Sequence, residues 1–222
     1  MSILLVLLMF LLILTISYFR GARQQPAVAA ARARPPAMPR PKIQRDLGSL
    51  VPEAYCFHPG HTWAFDEGRQ NARVGIDDFA SNLLGTIDHI EVTGLNRWVR
   101  QGQKLLTLTA GDVAVDLLSP VEGVVTAVNT SALDNPSQVA KDPYNDGWIC
   151  LVKAPDIAIN QKNLVQGVMV APWMQNSIAR LNTMAAPLSA MTAQDGGVPM
   201  RGLLARLTPE VRQSVVREFF LT

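Results

Sequence analysis

Cysteine is scarce in this 222-residue chain: Cys56 and Cys150 are the only two, with no CxxC and no paired Cys/His spacing. That argues against a disulfide-stapled scaffold or a structural zinc site and suits a reducing compartment. Two free, buried thiols are the simpler expectation, although a pairing across a sheet stays open at this point. Phosphate loops, GxGxxG runs and Ser/His/Asp groupings are also missing, which points away from an enzyme. The first 45 residues contain no acidic side chain but seven basic ones, Arg20, Arg23, Arg32, Arg34, Arg40, Lys42 and Arg45. The rest of the chain therefore holds thirteen basic against eighteen acidic groups, a net of −5. A nucleic-acid-binding fold carries its positive charge on the folded domain, so no nucleic-acid partner is expected.

Ile3–Phe19 is one uncharged apolar run, near the short end of the roughly 17–25 residues that cross a bilayer. A cleaved signal peptide carries its basic residues before the apolar core; here Arg20 and Arg23 follow it. The run reads as a retained anchor over residues 1–20. Positive flanks stay inside, which places the N-terminus out and the soluble part in the cytoplasm. Arg20 and Arg23 are candidates to hold anionic lipid headgroups.

Residues 21–45 carry Pro26, Pro35, Pro36, Pro39 and Pro41, which lack amide donors and favour extended backbone. This stretch reads as a tether. Core-like signals begin at Ile43–Val51 and become regular from Tyr55. Val74–Ile76, Ile87–Val92, Lys104–Thr109, Val113–Leu118 and Gly123–Asn129 are short β-branched or leucine-rich runs between turn residues. Asp77 is placed to cap a short helix ending at Gly85. The pattern predicts a mainly β domain over residues 46–160, an antiparallel sandwich or flattened barrel.

The order of motifs resembles the H protein of the glycine cleavage system. Tyr55 leads into His61-Thr62-Trp63, followed by Val74-Gly75-Ile76-Asp77-Asp78-Phe79-Ala80 and Leu84-Gly85. Val115-Asp116-Leu117-Leu118-Ser119-Pro120-Val121-Glu122-Gly123-Val124-Val125 and Asn135-Pro136…Asp142-Pro143-Tyr144-Asn145-Asp146-Gly147-Trp148 continue the likeness to about residue 160. The resemblance implies a lipoyl-domain-like fold. It also implies a lysine on a hairpin tip, eight residues before the proline of Ser-Pro, that receives lipoate. Counting back from Pro120 reaches Asp112, whose carboxylate cannot form that amide. No lipoyl cofactor is therefore expected, and no other cofactor is indicated. Cys56, His58 and His61 lack a standard metal spacing, and His61 sits where the family has a non-metal histidine, so no metal is expected either.

Residues 161–222 exceed what the family carries. Leu164–Leu181 has helix-compatible apolar spacing, with Pro172 as a start or kink, and Ala185–Val198 reads as a loop. Thr208, Pro209 and Glu210 open a final helix. Its stripe of Leu207, Val211, Val215 and Phe219 has two possible destinations: its own β domain, or a partner subunit, for which Val211, Val215 and Phe219 are the candidate contacts. The expected function is a non-catalytic structural or assembly subunit of a cytoplasm-facing membrane complex, respiratory or photosynthetic. The alternatives are a membrane-tethered adaptor for soluble enzymes and, remotely, an aminomethyl carrier.

Overall fold

The computed structural model describes residues 9, 11, 12, 15, 43–46, 49–52, 54–185 and 201–222, and the chain divides into two compact units, Met1–Met38 and Pro39–Thr222. In the first unit Met9, Leu11, Leu12 and Thr15 are helical and exposed. The remainder of the Ile3–Phe19 run, Arg20, Arg23 and the proline-rich tether up to Lys42 lie outside the described residues. Among the described residues no helix is long and apolar enough to cross a membrane.

The second unit is mainly β, with short helices and a helical C-terminal part. A hairpin of β1 (Ile43–Asp46) and β2 (Ser49–Pro52) begins inside the stretch read as tether. A six-stranded sheet runs β3 (Cys56–Phe57), β4 (Thr62–Gly68), β5 (Asn71–Ile76), β11 (Cys150–Lys153), β10 (Gly123–Val128), β7 (Trp98–Val99). A three-stranded sheet runs β6 (His89–Val92), β8 (Lys104–Ala110), β9 (Val113–Leu118). Neighbours in every sheet are antiparallel.

The six-stranded sheet is covered along one face and, around Trp63, on the other as well. Cys56, Ala64, Val74 and Cys150 form one register row across four strands and face the main core. Residues one step along point the other way, where Phe57 and Trp63 join Tyr55, Tyr144, Trp148 and Val170 in a second, aromatic cluster. Gly75, paired with Trp63, makes that cluster possible: a Cβ there would stand 2.5 Å from the indole ring. The three-stranded sheet turns Ile90, Leu106, Leu108, Val115 and Leu117 into the main core, in the period-two alternation of a one-sided sheet.

The register row also decides the cysteine question. Cys56 and Cys150 lie three strand spacings apart, about 14 Å, well outside the 4.4–6.8 Å Cα separation of a disulfide. Both are free and buried. Burial raises both thiols, that of Cys150 to about 12.

Short helices fill the loops: α1 (Asp78–Leu84), α2 (Thr130–Asp134), α3 (Ser137–Lys141) and α4 (Ile157–Gln161). The Leu164–Leu181 helix of the sequence reading begins only at Val170. Val165 instead bridges the edge residue Phe57, and Gly167, at φ +58, turns the chain before α5 (Val170–Met184) starts. Pro172 sits in the first turn of α5, where its missing N–H costs nothing. Beyond the undescribed residues 186–200 come α6 (Leu203–Arg206) and α7 (Pro209–Phe220), with Thr208 at the N-cap and Pro209 opening the helix.

These last helices close on their own domain. Leu207, Val215, Phe219 and Phe220 are buried in the main core, with Val211 half-buried against it. That corrects the partner-contact reading of Val215 and Phe219, since their apolar surface is already removed from water within the chain. Gly85, at φ +79 on the end of α1, and Gly202, at φ +73 before α6, dock the segment backbone to backbone. A Cβ on Gly85 would meet the Gly202 Cα at 2.6 Å, and the Gly202 amide donates to the Asn82 carbonyl at 2.8 Å.

Candidate functional site at the hairpin tip

Strands β8 and β9 pair from Ala110↔Val113 down to Lys104↔Leu118, leaving Gly111-Asp112 as a two-residue turn. Gly111 has φ +61 at the first central position, where such turns favour glycine. Its amide donates to the Asp88 carboxylate at 2.7 Å, so the tip is fastened to the loop before β6. Asp112 is 75 % exposed and points to the C-terminal helices.

There it meets Arg212 of α7. Arg212 Nη1 donates to Asp112 Oδ2 at 2.9 Å, while Nε donates to the Leu204 carbonyl and Nη2 to those of Ala205 and Leu207. One guanidinium therefore joins the end of α6, the start of α7 and the hairpin tip, using its planar fork of donors. The Arg212 hydrogen bond and charge hold the Asp112 carboxyl below its usual range. Nothing at the tip is nucleophilic toward an activated acyl group. Lys104 stands at the opposite end of β8, about 20 Å away along the strand, and is itself paired with Asp116 at 2.7 Å. Lys141, Lys153 and Lys162 lie on or beside other elements.

The second polar constellation is buried. Asp77 caps α1 by accepting from the Ala80 amide at 2.8 Å, and its other carboxylate oxygen lies 2.7 Å from His61 Nδ1. The imidazole is stacked between Phe79 and Trp173, at ring centroids of 4.2 and 4.8 Å. Both His61 and Asp77 are shut off from solvent. Such a pair positions β4 against α1 and is closed to any substrate. His58, half-buried, accepts from the Gly60 amide at 3.0 Å; burial, with His61 beside it, lowers its pKa. Among the described residues no group of three His, Cys, Asp or Glu side chains is arranged to hold a metal ion.

Sequence reasoning reached Asp112, His61 and Asp77 individually, but neither pairing. The 100-residue separation of Asp112 and Arg212 leaves no local signal. His61–Asp77 had one: a β4–β5 hairpin that sets Thr62 against Ile76 also brings the next residues out, His61 and Asp77, opposite each other.

Above these sites Tyr55 donates to the Tyr144 carbonyl at 2.7 Å, and the Tyr144 hydroxyl accepts from the Asp78 amide at 3.1 Å. Burial raises the Tyr55 phenol to about 12 and that of Tyr144 well above 10. The folded state favours the neutral phenols, so their contribution is complete below pH 10 and is lost as pH rises toward 12. A denaturant midpoint measured across that window should fall with pH, and Tyr55→Phe should flatten the fall; a pH-independent midpoint would contradict the burial.

Comparison with known proteins matches residues 55–176 to a family described as glycine cleavage H-protein. A glycine cleavage system H protein of Xanthomonas campestris pv. campestris is 35 % identical over 108 residues, 49 % of this chain and 82 % of that protein. One from Hydrogenovibrio crunogenus is 31 % identical over 110 residues, covering 50 % and 85 %. The crystal structure of a glycine cleavage system H protein from Mycobacterium marinum aligns with a TM-score of 0.48 at 22 % identity, over 57 % of this chain and 98 % of that one. The helices α6 and α7, including Arg212, fall outside the family match.

Proposed function

The chain belongs to the glycine cleavage H-protein family, a carrier family rather than one of catalytic enzymes, and we propose that it has exchanged the carrier role for a structural one. In this reading it is a non-catalytic, non-lipoylated subunit of a membrane protein complex. Residues 1–20 anchor it, residues 21–42 space it from the bilayer, and the β domain faces the cytoplasm. The observation that carries the proposal is Asp112. It stands at the hairpin tip where the family likeness puts the lipoyl-bearing lysine, and the ion pair with Arg212 occupies it. A swinging arm needs a free, amine-bearing tip; this one has a carboxylate tied to a helix. The uncharged Ile3–Phe19 run with basic residues behind it supports the anchor.

Intact-mass measurement on protein extracted from native membranes tests both halves together. The expected mass includes residues 1–20 and no lipoyl group, and the protein resists extraction by alkaline wash. A lipoyl adduct on any lysine would return the chain to the carriers, and release into the wash would remove the anchor. Mild-detergent purification should bring down companion subunits in fixed ratio.

A further inference from the structure

The six-stranded sheet ends at β7, a two-residue edge strand whose neighbourhood the proposed function does not use. Trp98 is 50 % exposed and Leu95, in the turn before it, 38 % exposed. The other three tryptophans are buried or half-buried, so Trp98 is the one that faces water. Arg97 and Arg100 flank it, both exposed, and the Arg97 stem lies beside Gly94. Register carries the row onward from Trp98 to Val124 and then to Lys153, on the same face. None of Arg97, Arg100 and Lys153 has an ion-pair partner among the described residues, although five ion pairs form elsewhere. The acidic side chain nearest in sequence to this row is the half-buried Glu122.

We propose that this edge is a contact for an anionic bilayer surface, with Trp98 and Leu95 entering the headgroup layer and Arg97, Arg100 and Lys153 holding the lipid headgroups. Tryptophan with its amphipathic ring belongs at that depth, and basic residues around an apolar tip give the electrostatic half of interfacial binding. Half a tryptophan and a third of a leucine expose only about 200 Å² of apolar surface, far below the roughly 800 Å² per partner of a stable protein interface. A shallow bilayer contact asks for no more than that. Two short edge residues also offer little for strand addition. The proposal rests on the membrane tether for proximity, since a patch this small binds weakly alone.

The test uses the full chain reconstituted with vesicles of phosphatidylcholine, with or without phosphatidylserine, and brominated acyl chains as quenchers of tryptophan emission. Flotation with phosphatidylcholine vesicles reports the tether. The patch is reported separately, by extra quenching in phosphatidylserine vesicles that Trp98→Phe abolishes and that high salt weakens. Arg97→Gln and Arg100→Gln should each reduce the docked-to-undocked ratio about fivefold, from roughly 1 kcal/mol per basic residue near the surface. If the tether fails, the patch still predicts weak, salt-sensitive quenching of Trp98 at high concentrations of phosphatidylserine vesicles and none with phosphatidylcholine alone. Quenching that is the same in both lipids, or unchanged in Trp98→Phe, overturns the proposal. So does a Trp98 that is shielded from a soluble quencher in native membranes yet untouched by brominated lipid, which would assign the edge to a protein partner.

Discussion

Phe219→Ala is expected to lower the stability of the β domain by about 3–5 kcal/mol, the usual cost of emptying a buried phenylalanine site. Phe219 is 2 % exposed and lies 5.0 Å, centroid to centroid, from Phe79 and 5.9 Å from His61. The cavity would thus open where α7, α1 and the start of β4 meet, and rigid neighbours on three sides leave little room to relax. Removing residues 207–222 withdraws Leu207, Val215, Phe219 and Phe220 together. At roughly 1.5–3 kcal/mol each, as an upper guide, the loss approaches the whole stability of a domain. Urea titration of the full-length protein, followed by tryptophan emission, measures both. An unchanged midpoint for the truncated chain would mean that the helix does not belong to this core, and would reopen the partner-subunit reading.

The second large effect is expected at Asp77. One carboxylate both caps α1 and holds the buried imidazole of His61. Asp77→Ala removes a cap worth roughly 0.5–2 kcal/mol and leaves a buried ring nitrogen unpartnered, a further 1–3 kcal/mol or so. The expected loss is about 2–5 kcal/mol. Asp77→Asn keeps an acceptor for the Ala80 amide and should fall well short of that. Equal losses in the two variants would show that the negative charge, and not the hydrogen bonding, is what the site requires. The same denaturation midpoints decide it, and no loss of any carrier activity enters the reading.

Strands β6, β8, β9 and β10 were legible because one face of each is more buried than the other, so hydrophobic alternation survives in the sequence, whereas β5 was caught only at Val74–Ile76. β4 and β11 were not legible. A strand buried on both faces, such as β5 with Ala72, Val74 and Ile76 alternating with buried Arg73 and Gly75, loses that alternation. Helices α2 and α3 escaped for a different reason. They are five residues each, too short for an apolar stripe to announce them, and only α2 has a side-chain cap, Asn129, whose carboxamide oxygen accepts from the Ala132 amide. The final helix, by contrast, carried its start signal and its stripe openly. What the stripe could not say was which surface it covers, because a groove in the same chain and a groove in a neighbour ask for the same spacing. At the site, the likeness to a family located Asp112. The guanidinium that binds it lies in a segment with no counterpart in the family match.

The arrangement around Arg212 also bears on what a lysine at position 112 would cost. A lysine placed at position 112 would bring an ammonium against the guanidinium that stands 2.9 Å from the carboxylate. Even in high dielectric, like charges that close repel each other. Replacing Arg212 first would instead release three backbone carbonyls at the junction of α6 and α7. Either single change is therefore uphill, and only a coupled change in two segments a hundred residues apart avoids the cost. In the proposed reading the C-terminal clasp works as a ratchet: with the arginine seated, an acyl-accepting lysine at position 112 requires a second, compensating change.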